Sequence, residues 1–336
     1  MSEQSFRLVK IDELNAGLVG EVFRAAYGEA FPVKYVYKPE AVLEEIRHNR
    51  LAALLAVDEG GRAAGYVSVF KSAPNPRLWE AGNLVVVPAY RQTDVSMLLA
   101  ATYTDGALFA KAASDGLFGE SVCCHYFTQV SSIKAGHADF ALELDQLDGP
   151  SFKDNRTGSA RVSCVLNFKE YSPPSDPVYL PPVYERFLRQ LALPLNPRNF
   201  LAATAPLPTG TLTRHEDHYY ESAQTWKVAV GEIGADWAQL TAGLLAEARR
   251  RGVISLQITL NTACPGIGAA VEILRSQGFF FGGLAPRWFG SDGLLMQQVL
   301  GIDTEYEHIR LYSPTGKELL AYIQADRTSL LAGAGE

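Results

Sequence analysis

The chain has only four cysteines in 336 residues, at positions 123, 124, 164 and 264. That is too few for a disulfide framework, and the adjacent pair Cys123–Cys124 is poorly placed to bridge itself. Reduced thiols in a cytosol are expected. An excess of positive charge is also missing: 30 Lys and Arg stand against 37 Asp and Glu, a formal net charge of −7. Bulk charge therefore gives nucleic-acid binding no support. No uninterrupted apolar run reaches the ~20 residues of a membrane span. The opening MSEQSFRLVKIDEL holds no apolar segment of the signal-peptide kind. The expectation is a cytoplasmic protein with no nucleic-acid or membrane partner. What is present is ordinary globular material, 47% hydrophobic and 20% charged, at a length that suits two domains.

Periodicity divides the chain into alternating elements. Residues 5–10 alternate as a strand. Residues 11–28 place Leu14, Leu18, Val22 and Phe23 at helical spacing, and Pro39-Glu40 opens a second helix to about Arg47. Segments 51–57 and 64–70 flank Glu59-Gly60-Gly61 as a hairpin. A strand at 82–87, a helix from about Asp94 to Ala113, a strand at 117–124, a helix ending at Gly136, and strands at 140–147 and 161–168 follow. YSPPSDPVYLP at 171–181 is a Pro-rich connector and a domain boundary. It is followed by a helix at 182–192 and a second Pro-rich interval at 194–208. Beyond these come strands at 210–221 and 225–233, a helix at 236–251, a strand at 253–260, a helix at 265–277, and strands at 279–285 and 293–300. The theme of the first half repeats, with a boundary between 1–170 and 171–336.

One stretch carries chemistry. In WEAGNLVVVPAYRQTDVSMLLAATYTD, residues 79–105, a strand of small and β-branched residues stops at Pro88 and hands over to a helix. The free N–H groups and macrodipole of such a helix start suit a phosphate.

This stretch resembles the coenzyme-A-binding motif of the GNAT acetyltransferases: a hydrophobic strand, V-x-P-x-Y-R, a loop R/Q-x-x-G-x-G/A, and a helix. Pro88, Tyr90 and Arg91 match. Asp94 replaces the expected glycine, which would permit positive φ, and Ser96 replaces Gly or Ala. The order of elements over 5–170 also matches that family. The resemblance implies an α/β (α+β mixed-sheet) acyl-CoA N-acyltransferase fold with a sheet splayed at its centre. The repeated theme implies two modules in tandem, the second degenerate. It further implies acetyl-CoA or another acyl-CoA as co-substrate, no metal, and an amine acceptor, a small molecule or a peptide.

By position before Arg91, Leu84, Val85 and Val86 correspond to the strand that binds the pantetheine arm, and Arg91, Gln92, Thr93, Asp94, Val95 and Ser96 to the phosphate loop. The family's chemistry, amine attack on a thioester, needs a base and an acid. Glu80 stands where some members place the base. The family's acidic Tyr, four residues before the Gly that closes the helix, is Ser132 here, so His125 and Tyr126 at the strand exit are the candidates for acid–base work. Tyr27, Phe31, Tyr35, Tyr37 and Trp79 supply aromatic walls for an acceptor. A second reading is a non-catalytic member of the fold, a ligand sensor or assembly module.

Other constellations have plainer readings. His215-Glu216-Asp217-His218 lacks the i, i+4 helical spacing of a zinc protease. Cys123-Cys124-His125 lacks a second ligand pair and is read as buried thiols. Pro265-Gly266-Ile267-Gly268 mimics a nucleotide loop without the βαβ unit and ribose acid that such a loop needs. Arg249-Arg250-Arg251 offsets a helix dipole. The junction at 231–236 has two acids and no phosphate loop.

Overall fold

The computed structural model describes residues 5–29, 31, 33–150 and 156–333. They divide into two compact units, Met1–Ser72 with Trp79–Ser114, and Ala73–Leu78 with Asp115–Glu336.

The first unit holds β1 (Phe6–Lys10), α1 (Ala16–Tyr27), α2 (Pro39–Arg47), β2 (Leu51–Asp58), β3 (Ala63–Phe70), β4 (Leu78–Val86) and α3 (Val95–Asp105). β1, β2, β3 and β4 lie side by side in that order, each pair antiparallel. α1 buries Val19, Val22, Phe23 and Ala26, an i, i+3, i+4, i+7 stripe. Leu14, counted into that stripe from spacing, precedes the helix and is 97% exposed. α3 stops at Asp105 because Gly106 takes the left-handed φ of +83°. The helix expected to run to Ala113 therefore ends earlier, and residues 111–113 form a separate 3-10 turn. The core gathers Phe23, Val36, Val42, Leu55 and Tyr66.

The second unit begins with β5 (Gly116–Val122), α4 (Phe127–Lys134), β6 (Ala138–Asp148) and β7 (Arg161–Glu170). Its connector forms β8 (Val178–Leu180), α5 (Glu185–Leu191) and β9 (Phe200–Ala202). Then come β10 (Arg214–Tyr220), β11 (Thr225–Glu232), α6 (Trp237–Arg251), β12 (Ser255–Asn261), α7 (Ile267–Ser276), β13 (Phe280–Ala285), β14 (Gly293–Val299) and α8 (Pro314–Gly333). The strand order is β5-β7-β6-β13-β14-β12-β11-β10. The β11–β12 pair is parallel and α6 is its crossover; the other pairs are antiparallel. The sheet is mixed, and helices pack on strands, so the chain is a mixed α/β protein.

That order contains an internal repeat. The block β5-β7-β6 reappears as β12-β14-β13, and the two blocks meet at equivalent strands, β6 beside β13. Their register passes through one antiparallel pair, Gly283↔Ala141. Gly283 has φ +137°, and a Cβ there would lie 2.4 Å from Ala141 Cα and from the Phe140 carbonyl oxygen. Gln297 on β14 continues the seam: its Oε1 accepts the Leu144 N–H at 2.9 Å and its Nε2 donates to the Leu142 carbonyl at 2.8 Å. α8 packs across both strands, burying Leu319 and Ile323, and was not anticipated from the sequence.

This seam explains a difference from the expected boundary. The contact units part near 114/115 because residues 116–170 are tied to the C-terminal half through the seam, whereas the 170/171 boundary concerns repeated elements and not contacts. Arg198 of the connector adds to the tie, pairing with Glu170 at 2.7 Å and Asp292 at 3.0 Å with all three side chains buried. Replacing Gly283 with Ala should destabilise the second unit by about 2–4 kcal/mol, from strain at positive φ plus overpacking. Urea denaturation followed by the fluorescence of Trp226, Trp237 and Trp288 measures it, and an unchanged midpoint would show that the seam tolerates a side chain.

Candidate functional site

The sequence placed its candidate cofactor residues on β4 and the turn after it, and the first unit brings them together. Between the pairs Tyr66↔Val85 and Ser68↔Gly82, β4 carries one residue more than β3. Asn83 and Leu84 therefore bulge from the ladder, and Asn83 takes φ +56°. A bulge leaves its extra residue unpaired and twists the strand. Val85 is 3% exposed and faces the core, whereas Leu84 is 37% exposed.

After β4, Pro88 to Tyr90 form a 3-10 turn. Tyr90 anchors it: the phenol donates to Asp58 Oδ2 at 2.8 Å. Asp58 also accepts the N–H groups of Gly60 and Arg62, at 3.0 and 2.9 Å, and pairs with the Arg62 guanidinium at 2.8 Å. These bonds, the Arg62 N–H first and the Tyr90 hydroxyl next, hold the Asp58 carboxyl down at about 2. Thr93 closes the loop, donating its N–H to the Tyr90 carbonyl at 3.1 Å and its hydroxyl to the same oxygen at 2.7 Å.

Arg91, Gln92, Asp94 and Ser96 are exposed, Thr93 is half-buried, and Val95 is buried under α3. Asp94 sits at the N-cap with φ −76° and makes no side-chain cap bond. The missing glycine thus matters less than the motif suggested, since no left-handed residue is needed there. The first-turn N–H groups of α3 are not capped by Asp94.

Glu80 lies on β4 opposite Phe70 and accepts a hydrogen bond from the Ser72 hydroxyl. Its charge is felt by two phenols. Burial, Glu45 and Glu80 push Tyr35 up to about 12, and burial and Glu80 push Tyr103 up further. The aromatic residues Tyr27, Phe31 and Tyr37 gather around Phe23, with ring centroids at 6.3, 4.6 and 6.5 Å. Trp79 lies 5.9 Å from Phe109, under the Lys71 ammonium at 4.8 Å.

The second unit holds the remaining candidates. His125 is half-buried with its ring 5.1 Å from Phe127, and Tyr126 is 46% exposed at the N-cap of α4. Gln129 fixes their turn: buried, it donates to the carbonyls of Val122, His125 and Arg310 and accepts the Tyr312 N–H at 2.9 Å. Ser132 is half-buried, and its carbonyl accepts the His137 N–H. The histidine that the fold buries is His137, lowered to about 4 by burial and Lys169 and hence neutral near pH 7. Cys123 and Cys164 are buried with their thiols pushed well up by desolvation, which leaves them unreactive.

The other glycine-rich motifs have structural explanations. At the start of α7, a Cβ on Gly268 would lie 2.1 Å from the Ala203 carbonyl oxygen, and one on Gly266 3.0 Å from that of Pro206. The connector needs both glycines to pass. At the start of α6, the Ala235 N–H donates to the Thr211 carbonyl, and Asp236 Oδ1 accepts the N–H and hydroxyl of Thr213, each at 2.8 Å. That helix start is filled by the chain's own residues 211–213. Among the described residues, no cluster of His, Cys, Asp and Glu is arranged for a metal, and no helix is long and apolar enough to cross a membrane.

The sequence did not single out Ser68, Asn83 or Tyr103, which surround the bulge. The one available signal was an Asn among the apolar residues that follow Glu80 on β4, a residue that tolerates left-handed φ.

No family profile matches the chain, and no curated protein matches it. Solved structures do resemble it. A protein from Desulfovibrio desulfuricans assigned to the GNAT family of acetyltransferases aligns at 17% identity and TM-score 0.37, over 50% of this chain and 100% of its own. The ribosomal-protein-S18-alanine N-acetyltransferase of Escherichia coli aligns at 12% and 0.38, over 52% and 100%. An aminoglycoside 6′-N-acetyltransferase complexed with coenzyme A aligns at 15% and 0.35, over 51% and 99%. Each likeness spans about half of this chain and nearly all of the other.

The Asp58 environment yields a pH prediction. A carboxyl held below its unfolded value stabilises the fold above about pH 4, and that contribution is lost as pH falls towards 2. Amide protection in β2 and β3 should therefore fall over this window, and Asp58→Asn should flatten the dependence. An identical pH profile in the variant would remove the role assigned to the Tyr90–Asp58 bond.

Proposed function

We propose that the first unit binds an acyl-CoA and that the protein transfers the acyl group to an amine. The observation carrying this reading is the succession, within one unit, of a bulged strand, an anchored Pro-Ala-Tyr-Arg turn and a helix start left uncapped by its N-cap side chain. The bulge frees backbone groups of β4 for the amides of a pantetheine arm. The α3 N-terminus supplies N–H donors and a positive dipole end for a pyrophosphate, with Arg91 as the adjacent cation. Leu84, Val85 and Val86 are the strand contacts, and residues 91–96 the phosphate loop.

In the proposed reaction a neutral amine attacks the thioester carbonyl. The N–C bond forms, the C–S bond breaks, the amine proton leaves to Glu80 directly or through water, and the CoA thiolate takes a proton from an acid. Glu80 is the proposed base. The division into 1–170 and 171–336 as tandem modules is proposed on the repeated strand block. A cytoplasmic location is proposed on composition.

Calorimetric titration with acetyl-CoA and with free CoA tests the reading. Micromolar affinity at one equivalent per chain is expected. Arg91→Glu places a negative charge where a phosphate would sit and should weaken binding about 100-fold or more. Unchanged affinity in the variant, or no binding by the wild type, would remove the assignment. Binding without turnover across an amine panel would favour a sensor.

A further inference from the structure

A feature of the first unit ties the two halves of the proposed acyl-CoA site together. The Gly82 carbonyl, beside the β4 bulge, accepts the Tyr103 hydroxyl at 3.1 Å and the Ser68 hydroxyl at 3.3 Å. Asn83 Nδ2 lies 3.4 Å from Ser68 Oγ, and Tyr103 also approaches the Ser68 carbonyl at 3.4 Å. Ser68 is fully buried on β3. Tyr103 stands two turns along α3, the helix whose start follows Arg91-Gln92-Thr93-Asp94. One phenol therefore links the bulged strand to the body of the helix.

The consequences are mechanical and electrostatic. A non-glycine residue at positive φ needs its surroundings to hold it, and a carbonyl beside a bulge is fixed by the side-chain donors that reach it. Tyr103 and Ser68 are those donors. Burial and the Glu80 charge keep the Tyr103 phenol protonated, so it donates across the physiological range. The same helix packs tightly on β3: a Cβ on Gly65 would meet Leu99 and the Val85 carbonyl at 2.8 Å and Val95 at 3.1 Å. The spacing between bulge and helix start is thus set from two sides.

We propose that Tyr103, supported by Ser68, is a positioning residue that sets the separation between the pantetheine-binding bulge of β4 and the phosphate-binding start of α3. It thereby selects ligands that carry both a diphosphate and a pantetheine arm over adenine nucleotides that carry only the first. This rests on the acyl-CoA reading above.

The test compares two ligands on the full chain by calorimetry. One is acetyl-CoA. The other is adenosine 3′-phosphate 5′-diphosphate, which is coenzyme A without its pantetheine arm. Tyr103→Phe keeps the ring and removes only the hydroxyl. It should weaken acetyl-CoA about tenfold while leaving the nucleotide within about twofold. Ser68→Ala should act in the same direction more weakly and serves if the first variant is poorly folded. The double variant should weaken acetyl-CoA further than either single change, because the Gly82 carbonyl then has neither donor. A ratio of the two affinities equal to the wild type's in both single variants overturns the proposal, even if thermal stability falls, since that would be a purely structural role. A wild type that binds acetyl-CoA no better than the nucleotide overturns the pantetheine half alone. A wild type that binds neither overturns the acyl-CoA reading and this inference with it.

Discussion

The contact on which the second unit depends is the approach of two backbones at Gly283 and Ala141. β6 and β13 occupy the same place in two copies of one strand block, and each would otherwise end its block with an unpaired edge. Pairing the two edges removes that liability, but only where no side chain stands between them. Gly283 provides the gap, Gln297 supplies amide groups where the ladder runs out, and α8 covers the join. The connector then has to return across the same unit, which is why Gly266 and Gly268 are held against Ala203 and Pro206 rather than against a ligand.

Buried charge follows the same geometry. Lys227 on β11 is held by Glu120 on β5 at 2.6 Å and Glu143 on β6 at 2.8 Å, so one ammonium ties β11 to two strands of the first block. Desolvation and the neighbouring Glu120 push Glu143 up to about 7 despite the lysine. Arg198 with Glu170 and Asp292 does for the connector what Lys227 does for the strands. Removing one member of such a group leaves a buried charge without its partner, which is far more harmful than replacing the whole group with apolar side chains.

The first unit is organised around a turn. Asp58 collects the β2–β3 hairpin amides, Arg62 and the Tyr90 phenol, so the strand exit and the hairpin are one rigid piece. That rigidity orients the loop of Arg91 to Asp94. The residues named from the motif and those found around the bulge have different duties. Arg91 and the loop face solvent, whereas Ser68 is buried and Tyr103 is tied to β4 through the Gly82 carbonyl.

Much of the fold was legible in the chain. The order of the longer strands and helices through β14, though not the short β8 and β9, follows from alternation, helical spacing and the glycines at 136 and 278, both observed at positive φ, because those signals act over a few residues. The strand–turn–helix at 79–105 was legible for the same reason. The bulge was not: the extra residue in β4 is defined only against its partner β3, and Asn83 takes positive φ because Ser68 and Tyr103, 15 and 20 residues away, satisfy the group it displaces. Asp94 reads as a broken glycine position in sequence and sits at φ −76° in the structure. The unit boundary was hidden as well, since a Pro-rich connector is a local signal, whereas the β6–β13 seam joins residues more than 140 positions apart. Local chemistry determined the elements and the Pro-Ala-Tyr-Arg turn. Which strands share an edge, where a strand bulges, and which helix starts are filled by the chain itself were decided by tertiary contacts, because each depends on a partner distant in the sequence.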